Sequence, residues 1–339
     1  MGTLMVTGGA GFIGSHFVRH WRGTHPGDRV IVVDALTYAG NTANLDDVRD
    51  HIVFEKASIE DAAEMERILR THRVDVVVNF AAESHNSYAL LEPGRFFRTN
   101  VMGTQALLEA ARRVRIERFH HVSTCEVYGD LALDATELFT ESSPYRPRTP
   151  YNASKAGADH AVRAYHHTFG LPITISNCAN NYGSHQFPEK VIPAFATSAL
   201  NGKPLTLYAQ TENRREWIHV LDHCRAIEAV VERGQVGRTY HVGTGDEASI
   251  EQIADLVLDE LGLPAALKTI VADRPGHDRR YVLDWRTLRD ELGWRPQVRF
   301  AEGLRQTVRW YADHRDWWEP LLDRAPVDEG RWGDRQRSR

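Results

Sequence analysis

Short runs rich in Val, Ile and Leu recur at residues 4–7, 30–34, 52–55, 74–80, 119–123 and 173–176. Between most of them, apolar residues fall every three or four positions, over 12–22, 62–71, 101–114 and 154–169. A strand that is apolar on nearly every residue must be covered on both faces, and a helix after each strand supplies the cover. The pattern predicts a doubly wound parallel α/β domain over residues 1–178. Past residue 180 the texture changes to loop-like stretches such as "NNYGSHQFPEKVIP" and "YAQTENRREW". Helical spacing returns at 220–233, 249–261 and 301–314. These segments predict a smaller mixed α/β lobe over 179–325, interleaved with the first, followed by a frayed tail at 326–339.

Composition narrows the function classes. The chain has 339 residues, 42% of them hydrophobic and 26% charged, with a formal charge of −5 and no long basic block. Neither a nucleic-acid footprint nor a membrane span is expected. The start runs directly into a strand pattern and shows no leader signature. Three widely spaced cysteines, Cys125, Cys178 and Cys224, predict reduced thiols and a cytoplasmic setting. Seventeen histidines invite a metal reading, but no ligand spacing of the HExxH or paired Cys/His kind occurs, so no metal is expected.

The first candidate chemistry is "TGGAGFIG", which follows the first strand and opens the first helix. Gly8, Gly11 and Gly14 give a tight turn, a close approach for a pyrophosphate and a close helix–sheet contact. The helix start then offers amide donors and a positive dipole end to the phosphates. Asp34 ends the second strand twenty residues after Gly14, where a carboxylate accepts from a ribose 2′-hydroxyl and repels a 2′-phosphate. The prediction is a Rossmann-type site for NAD, favoured over NADP.

"YNASK" sets Tyr151 and Lys155 four apart at a helix start, on one face. A phenol near its ordinary pKa of ~10 is a poor base at neutral pH. A neighbouring ammonium and an oxidised nicotinamide favour the phenolate. Such a pair takes the proton of a sugar hydroxyl as hydride leaves its carbon.

Further along, "DALTYAGNTANL", "NFAAESH", "STCEVYG", "SPYRPRTPYNASKAGAD", "NNYGSHQFPEKVIP", "ADRPGHDRRYVLD" and "ELGWRP" extend the pattern. With these motifs the chain, over about residues 4–321, resembles the extended short-chain dehydrogenase/reductases acting on nucleotide sugars, and most of all the dTDP-glucose 4,6-dehydratases. The resemblance implies that Tyr151 deprotonates the hydroxyl at carbon 4 while a retained NAD takes the hydride, and that Thr124 holds that oxygen. It implies that Glu126 removes the carbon 5 proton, that water leaves carbon 6, and that hydride returns there to give a 4-keto-6-deoxy sugar. Cofactor contacts are implied at Phe12 and Ile13, Leu36 and Thr37, Ser58 and Ile59, Ala81 and Ala82, Thr99 and Asn177. Substrate contacts are implied at Ser84 and His85, at Asn180 and Asn181, at Glu189, Lys190 and Val191, and at Tyr208, Arg215 and His277. Arg214, Arg279 and Arg280 are further phosphate candidates. The helices at 101–114 and 154–169 are implied to form a homodimer through a four-helix bundle.

Departures from the family pattern sit near the sugar. Cys125 stands where the family has the aspartate that acts as acid. A thiol with an ordinary pKa of ~8.5 holds a proton at pH 7 but is a weak hydrogen-bond donor, so the acid is Cys125 or water. Asn86-Ser87-Tyr88-Ala89 replaces Val-Asp-Arg-Ser, and Tyr240-His241 replaces Tyr-Asn. The Thr-Cys-Glu triplet is also similar to that of the tunicamycin-pathway 5,6-dehydratase, which returns hydride to carbon 4 and leaves a 5,6-alkene. Three readings are therefore open: a 4,6-dehydratase of a specialised pathway, a 5,6-dehydratase, and a disabled NAD-binding sensor or scaffold.

Overall fold

The computed structural model describes residues 2–273 and 275–324. The segment 326–339, expected to be frayed, lies outside the described residues.

The strands are β1 (Thr3–Thr7), β2 (Arg29–Asp34), β3 (Val53–Lys56), β4 (Val76–Asn79), β5 (Arg118–Thr124), β6 (Ile173–Cys178), β7 (Asn180–Tyr182), β8 (Leu205–Tyr208), β9 (Arg214–His219), β10 (Thr239–Val242), β11 (Glu247–Ser249) and β12 (Lys268–Val271). The helices that matter below are α1 (Phe12–Thr24), α2 (Ala62–His72), α3 (Asn86–Leu91), α4 (Thr104–Val114), α5 (Pro150–Phe169), α6 (Val191–Leu200), α7 (Val220–Arg233), α8 (Ile250–Glu260) and α9 (Phe300–Asp313).

A seven-stranded sheet runs β10-β6-β5-β4-β1-β2-β3, and every pairing in it is parallel. The chain lays β2 and β3 on one side of β1, then crosses to lay β4, β5 and β6 on the other. The C-terminal ends of β1 and β4 therefore flank a topological switch point, where such sheets open a crevice for ligands. Alternation along β1 shows why both faces must be covered. Leu4 and Val6 pack with Phe17, Val220 and Ile227 on the α1/α7 side, while Met5 packs with Ile68, Leu107 and Val162 on the other. Burying each such side chain contributes roughly 1.5–3 kcal/mol.

Two features were not legible from periodicity. The seventh strand, β10, comes from the second half of the chain and pairs with β6, and α7 packs against α1. The segment 101–114 is not one α-helix: a π-helical stretch, Phe97–Gly103, precedes α4. The second lobe has its own core around Tyr182, Phe195, Trp217, Ile253 and Leu304. Small sheets β11-β9-β7 and β12-β8 hold it together.

Candidate active site

The cleft at the switch point, about 350 Å³, is built from both lobes. At its inner end, the chain leaves β1 through Gly8, which has φ +66° and whose amide donates to Val33 O at 2.8 Å. A Cβ at Gly8 would lie 2.8 Å from Ala81 N, and one at Gly14 would strike the carbonyl oxygen of Gly8. The two glycines thus let the turn, α1 and β4 close on one another. Gly11 is the N-cap of α1 and has no side chain to satisfy the first amides, which face the cleft wall formed by Gly11, Phe12, Ile13 and Gly14. Asp34 is buried at the end of β2. Its carboxylate accepts from Ala10 N at 2.9 Å and Leu36 N at 2.8 Å, so it braces the glycine turn as well as facing the cleft. Burial raises its pKa, and the two amide bonds oppose that rise. An uncapped helix start, a cradle that a methyl group would fill and a carboxylate beside it fit an NAD dinucleotide. Thr37, Ser58, Ile59, Ala81, Ala82 and Thr99 line the same cleft. Leu36 and Asn177 do not line it. Leu36 gives its amide to Asp34 and packs into the α1-side core. Asn177 is fully buried and holds Thr124 O, at 3.1 Å, and Asp159, at 3.3 Å.

The reacting groups gather where β5 ends and α5 begins. Thr124 closes β5 and caps a single 3-10 turn, Cys125–Tyr128, by accepting from Glu126 N at 3.3 Å. Pro150 opens α5 and Thr149 caps it, accepting from Asn152 N at 3.2 Å. This puts Tyr151 in the first turn, with Thr124, Glu126, Tyr151 and Lys155 all on the cleft wall. Burial pushes the Tyr151 phenol well above its ordinary value, with the Glu126 charge adding to it and the Thr124 hydroxyl opposing. Lys155 donates from Nζ to Val122 O at 2.8 Å, and burial lowers its pKa. The chain alone therefore keeps Tyr151 protonated.

Cys125 does not stand on that wall. It is buried among Val127, Tyr128, Ala156, Tyr281 and Leu283, and burial pushes its thiol well above the ordinary value. Cys178, which the motifs did not single out, does line the cleft, with Sγ donating to Ser123 O at 3.3 Å and burial pushing it up to about 12. The reason is the pleat of β6, which turns alternate residues to the cleft and the core.

Ser84, Asn180, Asn181, Glu189 and Lys190 line the outer cleft. Tyr38 donates to Glu189 at 2.8 Å, and Lys190 reaches across to Ser84 O at 2.9 Å. His85 is buried as the N-cap of α3, and Val191 opens α6 and packs into the second-lobe core. Tyr208, Arg215 and His277 form a separate group beyond the cleft. The Tyr208 and His277 rings lie 5.7 Å apart, and the Arg215 guanidinium donates to Asp278 O at 2.6 Å and covers the Tyr281 ring at 4.6 Å. Arg280 is held by Glu247 through two bonds of 2.6 Å and Arg279 by Asp130 at 2.7 Å, so neither is a ready phosphate ligand. Tyr240 and His241 lie fully buried in β10, where His241 meets the Tyr128 hydroxyl at 2.7 Å; their identity bears on the core rather than on nucleotide contacts.

Residues 5–307 match the family described as GDP-mannose 4,6 dehydratase. The chain belongs to this family. Among its relatives, the dTDP-glucose 4,6-dehydratase of Xanthomonas campestris pv. campestris (strain B100) is 47% identical, over 95% of this chain and 97% of the relative. That of Streptomyces niveus is 46% identical, over 97% and 99%. Among solved structures, the dTDP-glucose 4,6-dehydratase of Streptomyces venezuelae with NAD bound superposes with a TM-score of 0.91 at 50% identity, covering 94% of this chain and 99% of that one. The UDP-glucose 4-epimerase of Thermotoga maritima shares the fold at a TM-score of 0.85 and 31% identity, over 92% and 99%. The seven-stranded sheet and the cleft at its switch point are thus the architecture of the dehydratase family and of its epimerase neighbours.

Proposed function

We propose that this chain is an NAD-dependent nucleotide-hexose 4,6-dehydratase that converts a dTDP- or UDP-hexose to its 4-keto-6-deoxy derivative. The observation that carries the reading is the meeting of Thr124, Glu126 and Tyr151 on one wall of the cleft whose inner end is the glycine turn and Asp34. The glycine turn and Asp34 would hold NAD, which would supply a reversible hydride acceptor and, in its oxidised form, the positive charge that Tyr151 lacks in the chain alone. Tyr151 takes the proton of the 4-hydroxyl, and the Thr124 hydroxyl holds that oxygen. The new ketone acidifies carbon 5, and Glu126 removes its proton as general base. The hydroxyl on carbon 6 leaves as water. We assign its proton to solvent in the cleft, because Cys125 packs in an apolar cluster and is not among the residues that line the cleft. Lys190, Asn180 and Asn181 would face the sugar diphosphate, with Arg215, Tyr208 and His277 toward the nucleoside.

Incubation of the purified protein with dTDP-, UDP- and GDP-hexoses, with NMR of the products, tests this reading. A 4-ketone with a carbon 6 methyl group supports it. A 5,6-alkene with a hydroxyl on carbon 4 replaces it with the 5,6-dehydratase, and no turnover of any sugar leaves the sensor.

Assembly as a homodimer is part of the same proposal. Two helical stretches pack side by side, Phe97–Gly103 with α4 and then α5, and they expose Met102 at 59% and Phe169 at 53%. A second copy covering this face would complete a four-helix bundle. Met102→Glu should shift the sedimentation coefficient from dimer to monomer; an unchanged dimer would place the interface elsewhere. Among the described residues no helix is long and apolar enough to cross a membrane. The three cysteines are free thiols, which supports the cytoplasmic setting proposed here.

A further inference from the structure

The proposed base, Glu126, has a partner that the motifs did not assign. Asn86, the first residue of α3, donates from Nδ2 to Glu126 Oε2 at 2.9 Å. Its other amide atom, Oδ1, accepts from the Thr149 hydroxyl at 2.8 Å. Thr149 is the N-cap of α5, and its oxygen already accepts from Asn152 N. Its single proton is therefore free to go to Asn86, which fixes which end of the amide is carbonyl. The NH2 end must face the carboxylate; a flipped amide would set oxygen against oxygen and leave the Thr149 proton without an acceptor. The helix start that presents Tyr151 thus also orients, through one hydroxyl and one amide, the carboxylate across the cleft.

The hydrogen bond to Glu126 comes from a neutral amide. The Glu126 charge is felt by Cys125 on its own turn, Tyr151 on α5, Cys178 on β6, and Asp278 and Tyr281 on the segment that crosses from the second lobe. All of them are acids, so none stabilises a second negative charge. A neutral donor answers this electrostatic problem. It fixes the direction of the carboxylate's free lone pairs, without the tight pairing by which a cation would weaken a base.

We propose that Asn86 is a positioning residue for Glu126, holding the carboxylate aimed into the cleft for removal of the carbon 5 proton. The proposal rests on the dehydratase reading above. The step it serves is balanced: the proton passes from carbon 5 to a Glu126 oxygen, and the C–H electron pair enters the enolate of the 4-ketone, with no outside oxidant or reductant.

The test uses the holoenzyme with dTDP-glucose in deuterated water. Deuterium uptake at carbon 5 and the transient formation of reduced nicotinamide are followed separately from pH 5 to 9. In Asn86→Ala, the ratio of carbon 5 exchange to carbon 4 oxidation should fall about tenfold. Asn86→Asp has the same volume, so it reports even where the alanine variant folds poorly. It sets a second carboxylate against the first and should lower the same ratio further. If both variants keep the parent's exchange profile, the positioning role is overturned. Glu126→Gln separates the layers: persistent exchange there removes Glu126 as the base and Asn86's role with it, while absence of turnover in the parent enzyme sinks the dehydratase reading itself.

Discussion

Asp34→Asn tests the cofactor end of the cleft in a way that couples stability to selectivity. The Asp34 carboxylate accepts two amides, from Ala10 and Leu36, at 2.9 and 2.8 Å. An asparagine keeps one acceptor oxygen and turns an NH2 group toward the other amide, so one buried donor faces another. Losing a hydrogen bond to a charged acceptor costs about 1.5–3 kcal/mol. In a chain of this size, about 2 kcal/mol lowers the melting temperature by roughly 2–4 °C. The amide also ends the carboxylate's repulsion of a 2′-phosphate and weakens its acceptance of a ribose hydroxyl. NAD affinity should fall about tenfold or more by the same hydrogen-bond arithmetic, while NADP affinity rises. Scanning calorimetry of nucleotide-free protein reads the first effect, and fluorescence titration with each dinucleotide reads the second. A variant with unchanged melting temperature and an unchanged NAD-to-NADP ratio would refute the claim that one side chain braces the turn and selects the cofactor. A shift in stability alone would leave the brace and remove the selector.

Three further outcomes follow from the same geometry. Tyr151→Phe removes the proton acceptor for carbon 4, and single-turnover absorbance should show reduced nicotinamide forming more than about a hundredfold more slowly; near-normal formation would take the role from Tyr151. Cys125→Ala should leave sugar turnover within about threefold and cost about 1–2 kcal/mol of stability in denaturant titrations, because the thiol packs in an apolar cluster off the cleft wall; a hundredfold loss of turnover would mean that the sulfur reaches the sugar. Asp278 is raised to about 6, mainly by burial and then by the Glu126 charge. The folded chain therefore holds a proton there that the unfolded chain, near ~3.9, has released. The stability this provides is full below about pH 4 and is lost as pH rises through about 6, so Asp278→Asn should gain on the parent in melting temperature across that window; a pH-independent difference would contradict the shift.

Periodicity placed the six strands of the first half and their helices because burial on two faces demands it residue by residue. It missed β10, since Thr239–Val242 is only four residues long and takes its place from pairing with β6, a contact distant in sequence. The glycine turn, Asp34, Tyr151 and Lys155 were legible because each depends on local spacing. Asn177 fell outside the cleft because the pleat of β6 turns it to the core, while Tyr208 on β8, Arg215 on β9 and the loop residues Leu36 and His277 are placed by how the chain beyond each strand is packed, which no local pattern encodes. Cys125 shows the limit most sharply. Next to Glu126 in sequence, it turns into a different environment within a single 3-10 turn, where neighbours point about 120° apart.

That divergence bears on how the chemistry is apportioned. The groups proposed to oxidise carbon 4 are braced by backbone: Lys155 on the Val122 carbonyl, Thr124 at a strand end, Tyr151 in the first turn of a capped helix. Changes in that set would disturb β5 or α5 and with them the core. Glu126 is braced by a side chain, Asn86, which is itself held by a side chain, Thr149. Such a contact can be exchanged at the cost of a hydrogen bond or two rather than of a helix. Asn86 and Cys125, the neighbours of this carboxylate in space and in sequence, can change without touching Lys155, Thr124 or Tyr151. On the proposed roles, the first half-reaction is thus tied to the fold, while the steps at carbons 5 and 6 rest on a few side chains, which is where a chain of this architecture can change its product without changing its cofactor chemistry.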